Sequence, residues 1–178
     1  MAETGGSAPR TDTRGGAAPA GAWRVEAVGP ESPEARALVA ASESELSALY
    51  ASEHRNALSV EALVALGADY VVARDPAGRA LAGGGLAVLA DDGRYGELKR
   101  LVTLPEARRR GAARAVVAAL EALARTRGLR LMRLETGEAS PEAIALYARL
   151  GYRRRGPFGR YAENGSSVFM EKRLEGGP

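Results

Sequence analysis

One stretch, residues 97–123, constrains the fold more than any other part of the chain. It begins with a strand-like apolar segment that ends at Pro105, whose ring fixes φ and removes a backbone donor. After three arginines and a glycine, apolar residues recur at helical spacing from Ala113 to Ala124. The stretch therefore predicts a strand, a tight basic loop and an amphipathic helix in direct succession.

The loop between this strand and helix has an unusual charge. Arg108, Arg109 and Arg110 precede Gly111, although each exposed cation at a helix N-terminus costs about a few tenths of a kcal/mol against the helix dipole. An anion bound to the free amides would reverse that cost, and Gly111 would let it approach the backbone closely. The loop is therefore either a phosphate or pyrophosphate site or a solvated basic helix start.

Two common phosphate loops do not fit the sequence. A Walker loop needs two glycines separated by four residues and followed by Lys and Ser or Thr, and the chain has no such run. A Rossmann fingerprint needs three spaced glycines between a strand and a helix. The run Gly83–Gly85 instead lies inside an apolar segment, 80–89, with no helix pattern after it. It predicts a bulge or a flexible strand.

Composition excludes several classes of function. The 178 residues carry a net charge of +3, which permits an anionic cofactor but gives no reason to expect a nucleic acid partner. The chain has no cysteine and only one histidine, His54, so we expect no disulfide, no cysteine nucleophile and no metal site. No apolar run approaches the roughly 20 residues of a membrane span, so we expect no membrane partner.

The local patterns predict one domain with alternating helices and strands. Residues 1–22 are rich in Gly, Ala, Thr and Pro, lack a secretory signal and predict a disordered tail before a single domain at 23–175, with a cytoplasmic location as the default. Predicted strands lie at 23–28, 70–74, 80–89, 95–103, 129–135, 152–155 and 167–174. Predicted helices lie at 33–50, 60–66, 112–127 and 141–150. We expect an α+β fold with a mixed sheet and helices on both faces.

Two motifs resemble one known family. Arg108-x-x-Gly111-x-Ala113 matches the Q/R-x-x-G-x-G/A signature of the GNAT superfamily of acyl-CoA-dependent N-acyltransferases, and residues 103–106 resemble the V-x-P-E segment before it. Residues 143–152 are similar to that family's A-x-x-L-Y-x-x-x-G-F run. The segment 157–161, followed by Ser167, resembles a bacterial subgroup of small GNAT enzymes. The resemblance covers residues 23–174 and implies a mostly antiparallel mixed sheet whose halves splay apart around acyl-CoA.

The resemblance also implies which residues bind acetyl-CoA. Backbone groups of 101–103 would pair with the pantetheine amides, and the amides of 109–113 with the Arg108 side chain would bind the pyrophosphate. The residues concerned are Leu101, Val102, Thr103, Arg108, Arg109, Arg110, Gly111, Ala112, Ala113, Ser140 and Ala143. Arg109 and Ala113 stand where the family often has glycine, and Ser140 stands where it often has a cofactor-binding asparagine. Ser140 is alternatively a simple helix cap.

The chemistry of amide formation suggests the catalytic groups. An alkylamine has a pKa near 10 and must lose a proton before it attacks a thioester, whose departing thiolate needs a proton in turn. We expect Glu97 to be the general base, directly or through a water, although it could be a surface glutamate. Glu135 is the second candidate base, or it attracts the amine by charge. The resemblance implies that Tyr147 lies beside the sulfur, which makes it the candidate general acid; alternatively it is a packed helix tyrosine. Without cysteine, the simplest mechanism is direct attack.

The acceptor itself is weakly indicated. Residues expected to border the acceptor cleft are Tyr50, His54, Glu135, Phe158, Arg160 and Tyr161. Arg160 could bind a carboxylate of an amino-acid-like acceptor, or it is a solvated loop arginine. A small-molecule amine N-acetyltransferase is the favoured function. A protein N-terminal or lysine acetyltransferase and a non-catalytic acyl-CoA-binding module remain alternatives, and the sequence is compatible with a homodimer.

Overall fold

The computed structural model describes residues 23–49 and 59–175, with residues 45–49 described for the backbone alone. Seven strands form one sheet in the order β1-β2-β3-β4-β5-β7-β6. The strands are β1 (Arg24–Val28), β2 (Asp69–Arg74), β3 (Ala80–Leu89), β4 (Tyr95–Thr103), β5 (Leu131–Gly137), β6 (Arg153–Arg155) and β7 (Ser167–Arg173). The helices are α1 (Pro33–Leu49), α2 (Val60–Ala65), α3 (Ala112–Thr126) and α4 (Pro141–Arg149). The mixed, mostly antiparallel α+β prediction is confirmed, with β5 two residues later than expected.

Helices cover both faces of the sheet, as the sequence predicts. Apolar residues of α3 and α4, among them Val116 and Tyr147, share one core cluster with residues of β3, β4 and β5. Residues of α1 and α2, among them Leu38 and Leu63, share a second cluster with the opposite face of β2 and β3. The sheet therefore separates two layers, and a strand residue reaches one layer or the other according to the strand's period of two.

The sheet opens in its middle, between β4 and β5. These strands are the only parallel neighbours among the described strands, and they pair over three positions, from Gly96–Met132 to Leu98–Leu134. Beyond that point β4 continues along β3 to Thr103, while β5 continues along β7 to Gly137. A gap therefore lies between residues 99–103 of β4 and 135–137 of β5.

A bulge in β4 accompanies this divergence. Lys99 pairs with Gly85 and Val102 with Gly83, so three steps along β4 match two steps along β3. Arg100 has a φ of 50°, in the left-handed region. A Cβ on Gly84 would lie 3.2 Å from side-chain atoms of both Leu101 and Val116, so the missing side chain lets α3 pack closely. Of the two sequence-based alternatives for the glycine run, the structure shows the bulge.

Candidate functional site

The gap between β4 and β5 exposes unpaired backbone. Val102 and Thr103 pair with β3 on one side only, because β5 has already diverged on the other, and Leu101 lies in the bulge before them. Strand backbone groups alternate in direction, so those on the β5 side of Leu101–Thr103 face the gap rather than a neighbouring strand. An extended amide-bearing chain fits such an edge as an additional strand would. This is where the sequence places the pantetheine contacts.

The turn at 108–111, here called the arginine turn, leads from β4 into α3 at one end of that gap. It follows a 3₁₀ turn, Pro105–Ala107, and its four residues are exposed. Gly111 is the N-cap of α3, with a φ of 83° and no side chain to bond the first amides of the helix. No acidic residue occupies the first turn of α3 either. The predicted strand, loop and helix are confirmed, and the first amides of α3 lack a side-chain cap.

Two arginines of this turn bond to backbone carbonyls of the segment just before it. The Arg108 Nε atom donates to the Thr103 carbonyl at 3.3 Å, and Arg110 Nη1 donates to the Glu106 carbonyl at 3.2 Å. Arg109 has a φ of 58°, which for a non-glycine residue costs about 1–2 kcal/mol. That conformation explains why glycine suits this position of the motif. It also turns the arginine turn into a concave run of amides with positive charge around it.

Trp23 attaches the start of the chain's first strand to the arginine turn. Its indole Nε1 donates to the Arg110 carbonyl at 2.7 Å, and the Arg110 guanidinium lies 5.5 Å from the centre of its ring. The sequence analysis did not connect these residues, which are 87 positions apart. A lone tryptophan at the start of a strand contains no signal of such a partner.

Tyr147 lies on α4 and is buried in the core layer shared with α3. Its ring packs edge-on against Tyr152 at 5.7 Å. Burial raises the pKa of the Tyr147 hydroxyl well above its ordinary value, and the charge of Glu135 raises it further. The phenol is protonated at neutral pH with or without this shift, because the ordinary pKa of tyrosine is about 10.

Glu97, Lys99 and Tyr161 form one buried cluster on the opposite face of β4. Lys99 Nζ forms an ion pair with Glu97 Oε1 and donates to the Tyr161 hydroxyl at 2.7 Å. The Tyr161 hydroxyl donates to the same Glu97 oxygen at 2.7 Å. Glu97 is 1% exposed, so the interpretation as a surface glutamate is wrong. Both of these bonds end on Oε1, which leaves Oε2 as the oxygen that can accept a substrate proton.

The environment shifts the pKa of both partners of Glu97. Burial lowers the pKa of the Lys99 ammonium, although the neighbouring Glu97 charge opposes that shift. Burial also raises the pKa of the Tyr161 phenol, and the Glu97 carboxylate adds to that effect. Lys99 was absent from the sequence-based candidates. The only signal for it is the alternation along β4, which places it two residues from Glu97 on the same face.

The Phe158 ring packs against the Tyr161 ring. It is buried and packs edge-on against Tyr95, Tyr161 and Phe169, with ring centres 5.0–5.9 Å apart. The expected contact of Phe158 with an acceptor is therefore indirect, because its ring faces other aromatic side chains. Aromatic pairs of this kind contribute about 0.5–1.5 kcal/mol each beyond area burial. They hold the Tyr161 ring beside β4.

Gly159 fixes the turn from Phe158 to Tyr161. The Tyr161 amide donates to the Phe158 carbonyl at 3.0 Å and closes the turn. A Cβ on Gly159 would lie 2.6 Å from an Asp91 carboxylate oxygen and 2.8 Å from the Tyr95 hydroxyl, and its φ is 52°. Only glycine fits here without displacement. Arg160 stands at the exposed corner of this turn.

The remaining predicted site residues lie on β5, at the start of α4, or outside the described residues. Glu135 is partly buried on β5 and accepts a hydrogen bond from the Ser167 hydroxyl at 2.6 Å. Ser140 precedes α4 at the N-cap position, but its side chain does not bond to the helix amides, so it is not a simple side-chain cap. Ala143 packs partly buried against the α3–α4 core. Tyr50 and His54 lie outside the described residues.

Known proteins resemble the chain in sequence and in fold. Residues 36–152 match the model of the acetyltransferase (GNAT) family. An IAA acetyltransferase of Azospirillum brasilense is 36% identical over 126 residues, which are 71% of this chain and 81% of that protein. A solved structure from Klebsiella pneumoniae, assigned to the acyl-CoA N-acyltransferases, is 33% identical, covers 86% of this chain and 99% of its own, and superposes with a TM-score of 0.72.

A more distant structure was solved with a cofactor. The PaiA N-acetyltransferase of Thermoplasma acidophilum, in complex with coenzyme A, superposes with a TM-score of 0.64 over 85% of this chain and 99% of its own. Its sequence identity is 16%, so the similarity is one of fold. Separately, none of the described helices is both long and apolar enough to cross a lipid bilayer.

Proposed function

Because the chain belongs to the GNAT acetyltransferase family and is an acyl-CoA-dependent acyltransferase, we propose that it moves an acetyl group from acetyl-CoA to a primary amine of a small molecule. The reaction proceeds by direct attack in a ternary complex, since the chain has no cysteine to form an acyl-enzyme. The observation that carries the proposal is the divergence of β4 and β5, with the arginine turn at one end and Glu97 on β4 beneath it. The name of the Azospirillum relative supports acetyl as the transferred group.

The residues along the gap suit a nucleotide thioester. Backbone groups of Leu101–Thr103 on the β5 side would bond the pantetheine amides, as a strand partner would. Amides of 109–113 and the Arg108 guanidinium would bind the pyrophosphate at the N-terminus of α3. Ser140 and Ala143, at the start of α4, would border the same chain. The left-handed φ values at Arg109 and Gly111 support this fit because they turn successive amides into one concavity.

Two side chains on opposite faces of the sheet would carry out the two proton transfers, Glu97 from β4 and Tyr147 from α4. Glu97 Oε2 would take the proton of the acceptor ammonium, directly or through a water, and so generate the neutral amine. The acetyl-CoA thioester supplies the activated carbonyl that this amine attacks. Tyr147 would donate its phenolic proton to the departing sulfur as the carbon–sulfur bond breaks, and the proton that the new amide nitrogen loses would restore the phenol, directly or through water. Glu135 is the alternative base, or the charge that attracts the ammonium to Glu97.

Calorimetric titration with acetyl-CoA, with CoA and ATP as controls, tests the cofactor. We expect micromolar binding of acetyl-CoA and clearly weaker binding of ATP, which carries phosphates but no pantetheine. Absence of acetyl-CoA binding would contradict the proposal. A thiol-release assay over a panel of amines and peptides then tests turnover. Release with peptides alone would favour a protein acetyltransferase, and binding without release would favour a non-catalytic acyl-CoA module.

A further inference from the structure

The charges around Glu97 suggest the class of acceptor. Four charged side chains on this face of the sheet bear on the acceptor: Glu97, Lys99, Glu135 and Arg160. Arg133, on the same face, is paired with Asp92. Glu97 and Lys99 neutralise each other as a buried ion pair. Glu135 and Arg160 contribute one further charge of each sign, from β5 and from the turn beside Tyr161.

Arg160 is held beside this cluster by the backbone rather than by an ion pair. The turn closed between Phe158 and Tyr161 fixes its position, and the approach of Asp91 to Gly159 fixes the turn. Among the side chains described in residues 23–44 and 59–175, no carboxylate forms an ion pair with Arg160. By contrast, Arg155, five residues earlier, is paired with Glu171 at 2.8 Å. Burial lowers the pKa of Lys99, and the positive charge of Arg160 lowers it further; burial raises the pKa of Tyr161, and the Arg160 charge opposes that rise. Arg160 therefore lies within electrostatic range of both side chains.

Lys99 has a remaining donor. A protonated lysine has three N–H groups, and two of them bond to Glu97 and to the Tyr161 hydroxyl. The third is available to a group bound next to the cluster. Lys99 and Arg160 therefore offer donors from two sides of Tyr161.

Glu97, Lys99, Glu135 and Arg160 together carry no net charge, so an acceptor with only an ammonium group would add an unbalanced positive charge. A zwitterion would add no net charge, because its ammonium faces Glu97 and Glu135 while its anionic end faces Lys99 and Arg160. Charges moved out of water are costly unless they are paired. Resting on the proposed function, we infer that the acceptor is an amino acid or a similar small aminocarboxylate, with its carboxylate bound by Arg160 and Lys99.

The planar guanidinium favours a carboxylate over a hydroxyl or an amide at that end of the acceptor. Two parallel N–H groups of an arginine match the two oxygens of a carboxylate, and such bonds are among the strongest in proteins. A peptide N-terminus or a lysine side chain in a protein has no free carboxylate at this distance from its amine. The inference therefore also separates small-molecule from protein acceptors.

The test compares each of a panel of amino acids with its own carboxamide, by thiol release from acetyl-CoA. A carboxylate raises the pKa of the neighbouring ammonium, so without carboxylate recognition the amide would be the better acceptor. We expect the preferred amino acid to exceed its amide at least tenfold in kcat/KM. In the Arg160→Gln variant we expect that ratio to fall to about threefold or less, mainly through KM.

The control variant is Arg154→Gln, which removes an exposed arginine of β6 that forms an ion pair with Glu138. We expect the amino acid to amide ratio of this variant to equal that of the wild type. Equal or better use of the amides by the wild type would overturn the inference and leave the proposed function intact. An unchanged ratio in Arg160→Gln would also overturn it. Acetyl-CoA binding without thiol release for any acceptor would overturn the proposed function, and this inference with it.

Discussion

The two sides of β4 differ in how their functional groups are assembled. On the cofactor side, the strand end, the arginine turn and the start of α3 occupy one contiguous segment, 101–113, and offer mostly backbone groups. On the proposed acceptor side, side chains of β4 and of the 158–161 turn meet across 64 positions of sequence, and Glu135 lies on the neighbouring strand β5. The cofactor side is therefore local and tolerant of side-chain identity. The acceptor side depends on three or four particular side chains and on the packing that brings them together.

This difference predicts opposite responses to substitution. A change on the cofactor side should weaken binding of acetyl-CoA whatever the acceptor, whereas a change on the acceptor side should leave acetyl-CoA affinity unchanged and lower turnover. Four variants probe that separation, in order of expected size.

Replacing Glu97 by glutamine should have the largest effect. The variant retains the shape of the side chain but loses the basic oxygen, so we expect kcat to fall by about 10²–10³-fold, with the dissociation constant for acetyl-CoA unchanged. A thiol-release assay measures kcat, and calorimetry measures the dissociation constant for acetyl-CoA. Glu135→Gln is the matched variant on β5, and a larger loss of kcat there would transfer the role of base to Glu135.

Gly111→Asp should abolish useful binding of acetyl-CoA. It places a carboxylate at the uncapped start of α3 and forces a φ of 83° on a residue with a Cβ, so we expect the dissociation constant to rise by about 100-fold, or roughly 2.7 kcal/mol. Gly78→Asp is the matched control, since Gly78 also has a φ of 83° and open space around it, in the turn before β3. Equal affinity in both variants would remove the phosphate-binding interpretation of the arginine turn.

Tyr147→Phe removes the buried phenol while preserving the ring. If its proton is transferred to the thiolate, kcat should fall by about tenfold, while the acetyl-CoA dissociation constant stays the same. The control is Tyr152→Phe, which removes the hydroxyl of the tyrosine whose ring packs against Tyr147. We expect its kcat to stay close to the wild-type value. A similar loss in both variants would mean that the tyrosines act through packing of α4 alone.

Trp23→Phe should have the smallest effect. The ring remains beside the Arg110 guanidinium, but the hydrogen bond to the Arg110 carbonyl is lost. Such a bond contributes about 0.5–1.5 kcal/mol, so we expect acetyl-CoA affinity to weaken two- to fivefold, roughly. No change would show that segment 101–113 holds its conformation without the tether. A loss larger than that of Gly111→Asp would contradict the local nature of the cofactor side.

Sequence patterns predicted the fold and the strand, turn and helix of residues 97–123 well because their determinants are short-range. Pro105, the helical spacing of Val116 and Leu120, and Gly111 each act within a few residues, and the structure places β4 and α3 where they indicate. The glycine run left a choice between a bulge and a flexible strand. That choice needed the register of β3 against β4, which is a tertiary fact.

The acceptor side could be predicted only in part. Glu97 was identified by its place before the expected cofactor strand end, yet its burial could not be read from a strand that also carries Lys99 and Arg100. Tyr161 was expected near the acceptor, but its bonds to Glu97 and Lys99 require a turn distant in sequence. Phe158 was predicted to border the acceptor, and the structure shows it buried against Tyr161; this packing could not be predicted, because an aromatic residue in a loop gives no sign of whether it faces a ligand or a core.

The sequence by itself determined the order of elements, the strand–turn–helix at 97–123 and the absence of any cysteine-based chemistry, since periodicity, proline, glycine and composition act locally. Only the tertiary structure decided that β4 and β5 part after Leu98 and Leu134, that Lys99 neutralises Glu97, and that Trp23 reaches Arg110. These features depend on which strand face meets which partner. Burial and pairing of charges are properties of the packed chain, not of any one segment.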